Sequence, residues 1–168
     1  MNLTHLNTLP PPDFTTTLGP IFEHSPWIPE RTWPKRPFAS IDALHAALCE
    51  TLAAASTEEQ LALIRAHPEL AGKAAIRGDL TEASTREQSG AGLDRCTPEE
   101  YARLHALNET YGKRFGFPFI LAVRGYDRAG ILAEWERRLG NAPELERAEA
   151  LRQIERIARF RLNDLLGG

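Results

Sequence analysis

A chain of 168 residues with 42% hydrophobic and 26% charged side chains has the make-up of a soluble globular protein, long enough to bury a core without covalent staples. Its net charge of −3 argues against nucleic acid or an anionic membrane as a partner. The two cysteines, Cys49 and Cys96, are too few for a disulfide framework or a zinc cluster and suit a reducing cytoplasm.

From the amino terminus, Met1-Asn2-Leu3-Thr4-His5-Leu6 has neither the charge nor the apolar run of a signal peptide. Prolines then punctuate the first third: Pro10-Pro11-Pro12, Pro20, Pro26, Pro29, Pro34 and Pro37 leave room only for short helices, over Pro12 to Leu18 and about Ile21 to Glu23. A stronger helix starts near Ser40, with Leu44 and Leu48 one turn apart. Ser56-Thr57-Glu58-Glu59 reads as a capping box ahead of the helix-forming run Gln60 to Ala66. That helix must stop at His67, because Pro68 disfavours helical dihedrals in the residue before it. Proline suits the first position of a helix, so a further helix is expected to start at Pro68. His67 then sits either at a plain helix junction or as an imidazole aimed from a rigid corner, with a pKa near physiological pH.

Ser84 and Glu87 form a second apparent capping box, opening a helix to about Ser89. Glu87 is either a cap residue or a carboxylate able to hold His67. The glycines of Ser89-Gly90-Ala91-Gly92 mark a helix end and not a phosphate loop, since no lysine and no strand accompany them. Thr97-Pro98-Glu99-Glu100 starts a helix to about Arg114. Phe117 to Val123 is a buried, extended core segment, too short to cross a bilayer. Asp127 to Leu139 and Pro143 to Leu166 complete the helices, and Leu165-Leu166-Gly167-Gly168 is no peroxisomal address. The class is all-α, a single compact domain over 1–168 with about seven to nine helices and an irregular, proline-rich first third.

Two polar residues lie inside apolar stripes. In the last helix Leu151, Ile154, Ala158, Arg161 and Leu165 fall on one face, with Arg152, Arg156, Arg159 and Asn163 opposite. Arg161 therefore points into the core, where it needs either a protein carboxylate or a ligand anion. In the helix from Pro98 the stripe Tyr101, Leu104, Asn108, Tyr111 and Phe115 includes Asn108, a core asparagine expected to bridge backbone groups. His5, His24, His45, His67 and His105 show no metal-ligand spacing, and neither a nucleophile elbow nor a dinucleotide fingerprint occurs. Any catalysis is expected to need no cofactor and no metal.

His67-Pro68-Glu69-Leu70, Ser84-x-x-Glu87-Gln88, the run Leu107-Asn108-x-x-Tyr111-x-x-x-Phe115-Gly116-Phe117-Pro118-Phe119-Ile120 and Ile157-x-x-x-Arg161-Leu162 together resemble the OHCU decarboxylase family of urate breakdown. Phe14, Glu23 to Trp27 and Arg36-Pro37-Phe38 resemble the opening segment of that family, so the likeness runs from about residue 7 to 166. The resemblance implies an all-helical, cofactor-free, usually homodimeric enzyme that converts 2-oxo-4-hydroxy-4-carboxy-5-ureidoimidazoline (OHCU) to (S)-allantoin and carbon dioxide. It further implies catalytic roles for His67, Glu87 and Arg161, pocket positions for Pro68, Ser84 and Gln88, and backbone contacts to substrate amides around Phe119 and Ile120. Two rivals stand beside this reading: a helical module that binds an anion or peptide without chemistry, and a decarboxylase for a related hydantoin-like acid.

Overall fold

Prolines set the rhythm of the first third. In the computed structural model, which describes residues 1–167, helix α1 (Leu3–Thr8) begins where Asn2 accepts the His5 amide, and α2 (Pro11–Leu18) begins on a proline whose missing N–H costs nothing there. A 3-10 turn at Gly19–Ile21 replaces the short helix expected over 21–23. It is followed by α3 (Trp27–Thr32), a second 3-10 turn (Trp33–Lys35) and α4 (Ile41–Ala53), capped by Ser40. The remaining helices are α5 (Thr57–Ala66), α6 (Lys73–Arg77), α7 (Glu82–Gly90), α8 (Pro98–Phe115), α9 (Arg128–Leu139) and α10 (Pro143–Leu166). The all-α class is observed, with ten α-helices among the described residues against the expected seven to nine. The surplus lies in short pieces such as α1, α3 and α6.

The chain divides into two compact units, one of residues 1–63 with 155 onward and one of residues 64–154. In the first, Leu6, Phe14, Leu18, Ile28, Leu44 and Leu48 are wholly buried. The α3 and α4 helices meet through a buried hydroxyl pair, Thr32 Oγ1 to Thr51 Oγ1 at 2.7 Å. Each hydroxyl also lies within bonding distance of a carbonyl one turn back in its own helix; their two hydrogens are shared among the three contacts, so neither is stranded. Asn7 holds both backbone groups of Phe38, donating at 2.9 Å and accepting at 2.8 Å. The last turns of α10 dock on α4, with Glu155 O 2.8 Å from His45 Nε2 and Arg159 2.5 Å from Asp42.

In the second unit the start signal at Thr97 is met in full: Thr97 Oγ1 accepts the Glu100 amide at 3.1 Å and Glu100 accepts the Thr97 amide at 3.0 Å. The Ser56–Glu59 box, in the first unit, is likewise formed. Two expectations fail. Pro68 opens no helix: residues 68 to 72 form a non-helical turn, and the next helix starts at Lys73. The reason is competition for the backbone, since side chains from α7 and α8 take the polar groups of Glu69, Leu70 and Ala71. Ser84 is not a cap either. Thr81 caps α7 by accepting the Ser84 amide at 3.2 Å, which places Ser84 three residues inside the helix and Glu87 further along it. Thr81 precedes a run equally able to start a helix, and threonine is itself a favoured cap, ranking only a little below serine. The end of α7 conforms: Gly92 adopts φ +80°, and a Cβ there would come within 2.9 Å of Arg128 Nη1.

Candidate active site

The helix α5 stops where expected. Ala66 is its last residue, and His67 follows as a buried bend whose amide bonds Ile64 O at 3.2 Å. The turn after it is held by two amide side chains. Gln88, on the buried face of α7, accepts the Ala71 N–H at 2.9 Å and donates to Glu69 O at 3.3 Å. From α8, Asn108 donates to Leu70 O at 3.1 Å. Ala71 sits at φ +50°, a left-handed conformation rare outside glycine, which survives only because these bonds over-determine it. The imidazole of His67 is thus carried on a rigid turn fastened to two helices.

Ser84 lies one turn before Gln88 on the same buried face of α7, while Glu87 is half-buried beside them. Asn108 bridges backbone as expected, but only through its amide nitrogen; its buried Oδ1 has no hydrogen-bond partner. One turn further along α8, the Tyr111 ring meets the Phe119 ring edge-on, with centroids 5.4 Å apart. One helix therefore braces both the His67 turn and the Phe119-Ile120 segment. That segment, Phe117 to Val123, is non-helical and buried except at Pro118.

Charged residues that sequence reasoning passed over surround it. Arg138, wholly buried in the last turn of α9, donates to Ile120 O at 2.6 Å and to Glu146 Oε1 at 2.7 Å. Tyr111 donates to the same carboxylate oxygen at 2.5 Å, and Asn141 to the other at 3.0 Å. Burial, and then this bond to Glu146, push the Tyr111 hydroxyl far above its usual range, so it remains a donor. The Ala122 amide donates to Gln153 Oε1 at 3.0 Å. A signal for Arg138 existed: Ile131, Trp135 and Arg138 make a helical stripe with a guanidinium at its end, the pattern that singled out Arg161.

Arg161 is buried in the other unit, as its stripe requires, with 6% exposure. Its face is centred slightly differently from the expectation: Ala150, Ile154, Ile157, Ala158, Leu162 and Leu166 are buried, whereas Leu151 and Leu165 are half-exposed. Of the two partners considered for it, a protein carboxylate is present. Nη2 is 3.0 Å from Glu23 Oε1, and Nη1 donates to Pro20 O at 2.9 Å. His67, Pro68, Ser84, Glu87, Gln88, Phe119 and Ile120 thus share one unit, and Arg161 belongs to the other. Among the described residues no group of three or more His, Cys, Asp or Glu side chains could hold a metal ion, and no helix is long and apolar enough to cross a membrane.

Residues 7–163 match the family profile described as OHCU decarboxylase. A 2-oxo-4-hydroxy-4-carboxy-5-ureidoimidazoline decarboxylase of Haloferax volcanii is 41% identical over 162 residues, covering 96% of this chain and 94% of the relative. The mouse protein of the same name is 39% identical over 167 residues, covering 99% of this chain and 94% of its own. Uric acid degradation bifunctional protein PucL of Bacillus subtilis is 45% identical over 161 residues, or 96% of this chain but only 32% of its own length. Among solved structures, an (S)-allantoin synthase superposes with a TM-score of 0.80 at 29% identity, over 99% of this chain and 54% of that one, so this chain spans about half of its length.

Proposed function

Because the chain belongs to the OHCU decarboxylase family, we propose that it converts OHCU to (S)-allantoin and carbon dioxide, with residues 1–168 acting as one catalytic domain. The substrate is a small, flat anion whose carboxylate leaves a ring carbon that bears a hydroxyl and adjoins a C=N bond. When the carbon–carboxylate bond breaks, its electron pair flows into that C=N, so the substrate carries its own electron sink. The hydroxyl oxygen then becomes a carbonyl and gives up its proton, while the former imine carbon and its nitrogen each gain one. One proton is taken up overall, and delivery to a single face makes the product chiral.

His67 is the group that moves these protons, acting as general acid and base. Glu87 orients it or accepts from the substrate hydroxyl. Arg161 binds substrate oxygens with its planar fork of donors, whose plane the Glu23 contact fixes. Pro68, Ser84 and Gln88 line the pocket, and the backbone at Phe119 and Ile120 meets the ring or ureido amides. The observation that carries the reading is the His67 turn itself. Two side chains hold the polypeptide just after the imidazole in a strained conformation, an arrangement that serves aim more than stability. Assembly as a homodimer in the cytoplasm belongs to the same proposal, and sedimentation velocity of the purified chain tests the dimer.

The activity is tested by supplying urate with uricase and hydroxyisourate hydrolase, adding the protein, and following circular dichroism. Rapid appearance of (S)-allantoin in excess over the slow racemic background is expected; background alone would return the protein to the binding-module class. His67→Asn is expected to leave the far-ultraviolet spectrum unchanged and lower the rate by about 10²–10⁴-fold. A variant that keeps more than about a tenth of the wild-type rate would remove His67 from the proton-transfer role.

A further inference from the structure

We propose that Arg138 is a positioning residue for this reaction: buried behind the Phe119-Ile120 segment, it sets where that backbone meets the substrate. The proposal rests on the reading above in taking that segment as a substrate contact.

The geometry has three parts. First, one guanidinium holds two consecutive residues of the segment, through Nη1 to Ile120 O at 2.6 Å and through Cζ lying 4.4 Å from the centroid of the Phe119 ring. The Phe119 ring is held a second time from the same helix, stacking on Trp135 at 4.4 Å and 7°. Second, the guanidinium is itself held. Its Nε donates to Glu146 Oε1, and Nη2 lies 2.6 Å from the same oxygen, although not aligned for a hydrogen bond. Tyr111 and Asn141 complete the carboxylate, so Glu146 cannot swing away with its partner. Third, both charged side chains have no exposure at all.

A buried ion pair is a poor way to add stability, since well-packed apolar side chains of similar volume often serve as well or better. What apolar residues cannot do is grip a carbonyl. The Ile120 bond is therefore the feature that an arginine uniquely supplies here, and it fixes the orientation of the adjoining peptide groups. Gln153 grips the Ala122 amide two residues on, which leaves the segment little freedom between the two anchors.

The test compares three variants. Arg138→Met/Glu146→Leu removes the pair together and leaves no stranded charge; Arg138→Lys keeps a cation opposite Glu146 but loses the fork; Tyr111→Phe weakens the same network without touching Ile120. Steady-state constants for OHCU generated in place, and amide exchange of residues 119–122 by mass spectrometry, are measured for each. The double variant and Arg138→Lys are expected to show KM raised roughly tenfold with kcat within about threefold, as for loss of binding shared by ground and transition states. Both should exchange faster over 119–122. Tyr111→Phe should unfold at lower temperature with KM unchanged.

Wild-type KM and exchange in the Arg138 variants would overturn the assignment, as would an equal rise in KM for Tyr111→Phe. Failure of both Arg138 variants to fold would also overturn it, since the arginine would then be serving the fold. If the wild-type protein shows no activity, the functional reading has failed, and the exchange comparison still decides whether Arg138 holds the segment.

Discussion

Each unit of the molecule encloses an arginine–glutamate pair, and the two pairs are finished differently. Arg138 and Glu146 are only eight residues apart, flank the α9–α10 connection and are completely shielded, with Tyr111, Asn141 and the Ile120 carbonyl closing the network. Arg161 and Glu23 are 138 residues apart; one comes from a long helix and the other from the proline-punctuated opening, and Arg161 keeps 6% side-chain exposure. The first pair braces a backbone segment from behind. The second is the pair whose arginine is proposed to meet a ligand. Burying a charge is costly in either setting, but a fully enclosed charge tied to both a carboxylate and a backbone carbonyl can serve as a rigid brace.

If that contrast is right, breaking the enclosed pair from one side should have the largest effect. Glu146→Leu leaves the Arg138 charge buried without its carboxylate and takes the acceptor from Tyr111 and Asn141. A loss of about 3–5 kcal/mol in unfolding free energy is expected from urea denaturation. A loss below about 1 kcal/mol would mean that water reaches Arg138, and the brace would be no stiffer than a surface pair.

The Arg161 pair should respond in function before stability. Arg161→Lys retains a cation beside Glu23 but replaces a planar fork with a point charge. A rise in KM for OHCU of about tenfold is expected, equivalent to about 1.4 kcal/mol. Unchanged KM and kcat would confine Arg161 to the internal salt bridge.

The smallest effect belongs to a pair at the surface of the second unit. The Thr97 amide first, and the Arg128 guanidinium after it, hold the Glu100 carboxyl below the usual carboxylate range. A folded-state value depressed in this way contributes stability that is present above the unfolded pKa, near 4.3, and is lost as pH falls through the lower folded value. Glu100→Gln should therefore lower the melting temperature slightly at pH 7, with the difference from wild type closing as the pH falls below about 4. A gap that persists in acid would assign the effect to lost geometry and not to charge.

Capping chemistry made much of this fold readable along the chain. Ser40, Ser56, Thr97 and Asp127 each precede a helix and bond its first free amides, interactions that reach no more than three residues. The same local rule misled at Ser84, where Thr81, three residues earlier, captured the helix start instead. At Pro68 it misled for a different reason. A proline can open a helix, but Gln88 and Asn108, 17 or more residues away, drew the backbone of 69–71 into a turn. Arg161 was visible because a guanidinium interrupts an apolar stripe in the middle of a long helix. Arg138 was overlooked because a basic residue at a helix C-terminus and an acidic one at the next N-terminus are what the helix dipoles favour in any solvated pair.

By itself the sequence determined where the longer helices α4, α5, α8, α9 and α10 lie, which faces are apolar, that an imidazole follows α5 at a proline, and which family the motifs resemble. These depend on dihedral preference and on contacts one turn apart. Only the tertiary structure decided how the His67 turn is tied, which carboxylate meets Arg161, and that a second arginine grips the Ile120 carbonyl. Those bonds join groups from different elements, and a donor's partner is settled by what packing brings within 3 Å of it, a quantity no local pattern encodes.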